Sequence, residues 1–215
     1  MAQAVIAVRG GRGAKTRCSA ALGCADRAGL TAAMLEDMLA ALGRCPAVSQ
    51  AWVVTPTPDL AELAVQRGAL AIRQRRPAGL NAAFALAIAE VGEIAPYDPL
   101  VLMPGDLPLL EPDDIAAALL LARTHAVTLA PSQDGGTGLI ALRAGAVLPP
   151  AFGPRSFQRH AAAAARRGLS VAVLGAGSLS RDVDHPGDLF GVLEAGPATL
   201  TSAFLRAHLR PRIRS

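Results

Sequence analysis

Aromatic residues are scarce, with Phe, Trp and Tyr together making up 3% of the 215 residues. A protein that grips single-stranded nucleic acid by stacking bases on rings needs more of them, so the net charge of +4 calls for another explanation. Much of the excess sits in Arg206, Arg210, Arg212 and Arg214, a pattern expected of a solvated tail. The other arginines lie beside glycines and in loops, where they suit small anionic ligands. Cysteine is also sparse: Cys18, Cys24 and Cys45 are odd in number, show no CxxC spacing and have no histidine cluster nearby. That excludes a disulfide framework and a zinc site. Long hydrophobic runs are missing too. Stretches such as Ile115 to Ala122 and Ala161 to Ala165 fall far short of the roughly 18 to 20 residues of a membrane span. The apolar start Ala4 to Val8 passes directly into Arg9 and Gly10, unlike a secretory signal. The expectation is a cytoplasmic protein with neither a nucleic-acid nor a membrane partner, acting as monomer or homodimer.

What is present is apolar: 52% of the residues are hydrophobic, enough for one substantial core. Short apolar runs alternate with longer amphipathic ones, the pattern of a three-layer αβα domain with a mainly parallel sheet. Strands are expected near 4–9, 50–54, 69–72, 99–103, 126–130, 138–142 and 170–174, and helices near 31–42, 58–66, 79–92, 112–123, 156–167 and 187–193. Start signals support the helices: Thr31 before Met34, Leu35, Met38, Leu39 and Leu42; Thr57-Pro58-Asp59; and Glu111-Pro112-Asp113-Asp114. Residues 1–195 read as one domain and 196–215 as a basic extension.

The run Leu100 to Leu110 ends its apolar stretch in Gly105-Asp106 before Pro108. This places one carboxylate at the carboxyl end of a buried strand, where open α/β sheets bind ligands; a bare Gly-Asp also serves to cap a turn. In Asp182-Val183-Asp184, residues two apart share one side of an extended segment. Both carboxylates could join Asp106 around magnesium, a hard cation suited to oxygen ligands, or stand as a solvated charged loop. Arg9-Gly10-Gly11-Arg12-Gly13-Ala14-Lys15-Thr16-Arg17 combines close backbone approach with cations for phosphate oxygens. It matches neither GxxxxGK[ST] nor GxGxxG, so both of those specific sites are excluded. Two further segments, Pro131 to Gly138 and Phe152 to His160, offer hydroxyls and backbone N–H groups that could form an anion nest or a helix-terminal phosphate site. His160 reads as a helix-surface or orienting residue. No serine–histidine–acid pattern is visible, which favours metal-assisted phosphate chemistry over acyl transfer.

Taken in order, Ala14-Lys15-Thr16-Arg17, Arg27-x-x-Leu30-Thr31-x-x-Met34-x-x-Asp37, Gly79-Leu80-Asn81, Gly105-Asp106-Leu107-Pro108, Pro131-Ser132-x-Asp134-Gly135-Gly136-Thr137, Phe152-Gly153-x-x-Ser156-Phe157-x-x-His160 and Asp182-x-Asp184-x-Pro186-x-Asp188-Leu189 resemble one family. It is the phospholactate/phosphoenolpyruvate guanylyltransferase family of deazaflavin coenzyme biosynthesis. The resemblance runs from about residue 4 to 193 and implies the Rossmann-like nucleotide-diphospho-sugar transferase fold. It further implies GTP as donor, Mg2+ as cofactor and a three-carbon phospho-acid as acceptor: 2-phospho-L-lactate, phosphoenolpyruvate or 3-phosphoglycerate. By that resemblance, Asp106, Asp182 and Asp184 hold the metal and Thr137, Gly153 and Ser156 hold the acceptor. Lys15 and Arg17 then face the donor phosphates, with Asp106 completing the catalytic set, and Asn81 contacts the nucleoside. Three departures stand out: Ala7-Val8-Arg9-Gly10-Gly11 replaces the family's Pro-Val-Lys segment, Cys18 stands where leucine is common, and Gly138 stands where asparagine is common. The rival readings are a molybdopterin nucleotidyltransferase, whose Arg-Met-Gly loop order is missing here, and a non-catalytic GTP or phospho-acid sensor.

Overall fold

The computed structural model describes residues 1–11, 13–75, 78–175, 177–195 and 198–209. Seven strands form one sheet: β1 (Ala2–Ala7), β2 (Val48–Thr55), β3 (Leu70–Arg73), β4 (Leu100–Pro104), β5 (Val127–Pro131), β6 (Thr137–Leu142) and β7 (Val171–Val173). Their order is β3-β2-β1-β4-β6-β5-β7. All pairings are parallel except those of β6, which runs antiparallel to both β4 and β5. The expected mainly parallel mixed sheet is therefore present.

Alternation along the strands makes the two outer layers. In β1, Ala4 and Ile6 face a core shared with Leu35, Met38 and Leu42 of α1 (Cys24–Gly43), Leu60 of α2 (Pro58–Gln66) and Ile115 of α4 (Pro112–Leu121). Val5 and Ala7 face the opposite core, formed with Phe84, Ala87 and Val91 of α3 (Leu80–Ile94) and Ala163 and Ala164 of α5 (Ser156–Arg166). A strand covered on both faces must be apolar throughout, and all six β1 residues are buried.

Two expectations change. Thr31 does not begin α1. The helix starts at Cys24, seven residues earlier, and the buried Thr31 hydroxyl donates 2.9 Å to the Arg27 carbonyl one turn back. A threonine can satisfy its hydroxyl inside a helix in this way, so it mimics a cap in the sequence. The C-terminal extension is likewise not a solvated tail throughout. α7 (Leu200–His208) follows α6 (Pro186–Ala195), and its Leu205 is buried with Leu22, Leu30, Met34, Leu189 and Val192. Asp37 of α1 fixes its start by accepting from Leu200 N (2.8 Å), Thr201 N (2.8 Å) and the Thr201 hydroxyl (2.6 Å). The tail arginines Arg210, Arg212 and Arg214, and Arg12 of the glycine-rich loop, lie outside the described residues.

Strands β1 to β3 proceed one way across the sheet and β4 begins on the other side of β1. Their carboxyl ends flank the point where strand order reverses, the position at which such sheets form a crevice.

Candidate active site

The loop after β1 and the turn after β4 meet at this crevice, with Gly105 N donating 2.9 Å to the Ala7 carbonyl. Two cavities open there. The larger, about 550 Å³, is lined by Arg9, Lys15, Thr16 and Arg17 on one side and by Gly79, Leu80 and Ala83 on another, with Asp106 and Asp184 at its end. The smaller, about 130 Å³, is lined by Ser132, Asp134, Thr137, Gly138, Gly153, Ser156 and Asp182. Leu80, Pro104, Asp106 and Asp184 belong to both.

Backbone pairing brings the acidic elements together. Val183 N donates 3.0 Å to the Asp106 carbonyl, and Val183 is fully buried among Leu30, Met34 and Leu189. Its neighbours Asp182 and Asp184 are only partly buried and line the cavities, as an extended segment requires. Asp188 completes the turn by accepting from Asp184 N (2.8 Å) and His185 N (2.6 Å).

Lys15 bridges the two acidic elements, with Nζ 2.8 Å from Asp106 Oδ2 and 3.2 Å from Asp184 Oδ1. Burial pulls its pKa down, but the charges and hydrogen bonds of Asp106 and Asp184 outweigh this and hold it above its ordinary value. Although it lies in a loop, Lys15 is only 12% exposed. Arg17, 62% exposed, reaches Asp184 at 3.3 Å. Arg27 holds the loop itself: its guanidinium donates to Ala14 O and Leu22 O, both at 3.1 Å.

A fourth carboxylate, Asp134, stands with Asp182 and Asp184 so that one oxygen of each lies within 4.8 Å of the others. Asp106 makes its short contact with Lys15 instead and acts on Asp182 through its charge. Burial, then Asp106, and then Asp134 and Asp184 push the Asp182 carboxyl up to about 7. Asp134 shifts the other way, because the Ser132 hydroxyl (2.5 Å) and Gly136 N (2.8 Å) donate to its Oδ1. Sequence reasoning missed Asp134 as a metal-ligand candidate. The available signal was a carboxylate one residue before a Gly-Gly bend, which lets the chain turn it back toward the strand ends. The set of oxygen donors fits a hard divalent cation.

Thr137 at the start of β6 and Ser156 at the start of α5 share a 2.9 Å hydrogen bond. Gly153 has φ +120°, a conformation that L side chains rarely adopt, and its carbonyl accepts from Ser156 N at 3.0 Å. The three expected acceptor residues are thus assembled on the smaller cavity. Asn81 is placed differently: both ends of its amide bind the backbone of Phe152, at 3.1 Å to the carbonyl and 2.7 Å from the N–H. It lines neither cavity, and it clasps α3 to the 151–153 loop. His160 is fully buried, which excludes the surface reading and leaves the orienting one. Gly138 has a steric reason: a Cβ there would collide with the Leu179 carbonyl, so asparagine cannot enter without moving that backbone.

Residues 2–212 match the family model described as guanylyl transferase CofC like. A 3-phospho-D-glycerate guanylyltransferase from Phenylobacterium zucineum is 51% identical over 218 residues, covering 100% of both chains. A phosphoenolpyruvate guanylyltransferase from Thermomonospora curvata is 40% identical over 191 residues, covering 88% of this chain and 82% of the relative. Among solved structures, a Desulfovibrio desulfuricans G20 protein assigned to the nucleotide-diphospho-sugar transferases superposes with a TM-score of 0.78 at 22% identity, over 96% and 95% of the two chains. That likeness establishes the fold.

Proposed function

Because the chain belongs to the CofC-like guanylyl transferase family, we propose that its two joined cavities are the subsites for transfer of GMP from GTP to a three-carbon phospho-acid. The observation that carries this reading is the shared wall: Asp106 and Asp184 line both cavities, so two bound anions would meet at one set of carboxylates. The larger cavity falls within the ~300–1,000 Å³ usual for ligands of nucleotide size, while the smaller one suits a compact acid.

In this reading an acceptor phosphate oxygen attacks the α-phosphorus of GTP, the bond from that phosphorus to the β-bridging oxygen breaks, and pyrophosphate leaves. The acceptor phosphate, with a second pKa of about 6, is already ionised, so no side chain acts as base. Positioning and charge neutralisation then supply the rate. Lys15, Arg17 and Arg9 serve the donor phosphates; Arg9 keeps a cation on the cavity wall although Ala7-Val8-Arg9 replaces the family's Pro-Val-Lys. Thr137, Gly153 and Ser156 hold the acceptor. Magnesium would be held by Asp182 and Asp184, with Asp134 clustered beside these two and Asp106 joining them on release of its contact with Lys15, and would supply positive charge between the two anions.

The full-length 51% identity supports 3-phospho-D-glycerate as the acceptor over phosphoenolpyruvate, for which the corresponding identity is 40%. The thiols of Cys18 and Cys45, both buried and outside any disulfide, agree with a cytoplasmic enzyme. Among the described residues no helix is long and apolar enough to cross a membrane. All the groups invoked come from one chain, so either a monomer or a homodimer meets the requirement. The test pairs purified protein and magnesium with four nucleoside triphosphates and three acceptors: 3-phospho-D-glycerate, phosphoenolpyruvate and 2-phospho-L-lactate. Mass spectrometry of the products should show the GTP and 3-phospho-D-glycerate pair dominating. Binding without product in every pairing would favour a sensor instead.

A further inference from the structure

The hydrogen bonds around the smaller cavity have a direction. Ala151 N donates 2.8 Å to His160 Nε2, so that nitrogen carries no proton. The neutral ring therefore has its proton on Nδ1, 3.0 Å from the Thr137 hydroxyl, which must accept it. The Thr137 proton is then directed onward, and Ser156 Oγ lies 2.9 Å away on the cavity wall. With Thr137 as the donor in its contact with Ser156, the chain runs from Ala151 N–H through the imidazole and the Thr137 hydroxyl to Ser156, whose own O–H is left for the cavity.

The surroundings fix the ring in this role. His160 is fully buried, its ring stands edge-on to Phe152 with centroids 5.0 Å apart, and Arg159 binds the Ala151 carbonyl at 2.7 and 3.1 Å. Asn81 holds Phe152 from the far side. The segment that carries the donor to the imidazole is thus anchored on both sides of the Ala151–Phe152 peptide.

We infer that His160 is a positioning residue for the acceptor: by donating to Thr137 it turns that hydroxyl's proton toward Ser156, so that Ser156 presents its O–H to an anionic oxygen. The inference rests on the assignment of the smaller cavity to the phospho-acid. A chain locked in the donor sense favours an oxyanion, which can only accept, over a neutral group that must donate.

Two substitutions separate the ends of the ring. His160→Asn can place an amide N–H where Nδ1 stands and keep the donor to Thr137. His160→Gln reaches the Nε2 position with its amide oxygen, keeping the acceptor for Ala151 N while leaving Thr137 without its donor. Steady-state kinetics and Tm are measured for both variants, for Thr137→Val and for Thr137→Val/His160→Gln. The expected result is a roughly tenfold rise in the phospho-acid KM for His160→Gln, with GTP KM and kcat little changed and most of the affinity recovered in His160→Asn. The double variant should be no weaker for the acceptor than Thr137→Val alone, because His160 acts through that hydroxyl. Equal acceptor KM values for the Asn and Gln variants, equal effects on GTP and acceptor, or additive losses in the double variant would overturn the inference. A wild-type protein that turns over none of the three phospho-acids would instead remove the acceptor assignment beneath it. Variants that lose the fold are identified by Tm, and Thr137→Val with either single His160 change then completes the comparison.

Discussion

Lys15 is the one lysine of the chain, and it stands where two negatively charged elements converge. Its 2.8 Å and 3.2 Å contacts place a compact cation beside the cavity assigned to the triphosphate, where charge shifts onto pyrophosphate as transfer proceeds. Lys15→Ala should lower kcat/KM for GTP about 100-fold, the size expected when one preorganised charge donor is lost. An unchanged kcat/KM would make the lysine a structural bridge. His160 yields a separate prediction. Burial first, and the Arg159 charge second, lower its pKa from 6.5 to about 4. The unfolded chain then takes up this proton between those values while the folded protein resists it. Stability from this group is full above about pH 6.5 and falls toward pH 4, by on the order of 3 kcal/mol. Asp182, held near 7, pulls the opposite way as pH falls, so the contribution is read as the difference between wild type and His160→Asn. Denaturant midpoints should show the wild type losing more than the variant below pH 6; parallel losses would rule out a neutral, buried imidazole.

At the scale of elements, legibility depended on where satisfaction is local. The central strands β1, β4, β5 and β6 announced themselves because both faces are buried, and helices α2 and α4 because Thr57-Pro58 and Glu111-Pro112 punctuate them. The start of α1 was hidden because its N-cap is Gly23, while Thr31 offers a cap-like residue that bonds backward within the helix. α7 was hidden because its partner Asp37 lies 163 residues before the Leu200 N–H it accepts, and no local pattern reveals such a pairing. Asp37→Ala should remove three hydrogen bonds at that terminus and cost about 1–2 kcal/mol, with a Tm fall of roughly 2–4 °C for each kcal/mol. Kinetic constants should be little changed, since Asp37 lines neither active-site cavity. An unchanged Tm would mean that the Thr199 cap and the packing of Leu205 hold the helix without Asp37. Thr137, Gly153 and Ser156 were grouped by the family resemblance, while their two segments stood out because they lead into β6 and α5. Asp134 was not legible, and neither was the clasp made by Asn81, because both depend on which neighbour the folded loops supply.

Across the whole molecule, the reversal of strand order between β1 and β4 gathers a cationic loop, two acidic segments and two hydroxyls at one end of a sheet. Their common point is the wall formed by Asp106 and Asp184, so the two should matter for the reaction far more than for folding. Asp106→Asn and Asp184→Asn should each largely abolish turnover at limiting magnesium while retaining a cooperative unfolding transition. Near-normal rates in both would place the reacting groups elsewhere. The central claim is that donor and acceptor bind together and react directly across this wall, and pyrophosphate formation with and without acceptor tests it most directly. With wild-type protein, GTP and magnesium, the account predicts one pyrophosphate per diphosphate-linked product when 3-phospho-D-glycerate is present, and no exchange of labelled pyrophosphate into GTP when it is omitted. Sustained exchange without acceptor, at a rate comparable to turnover, would show the guanylyl group transferring first to the enzyme and would contradict the account.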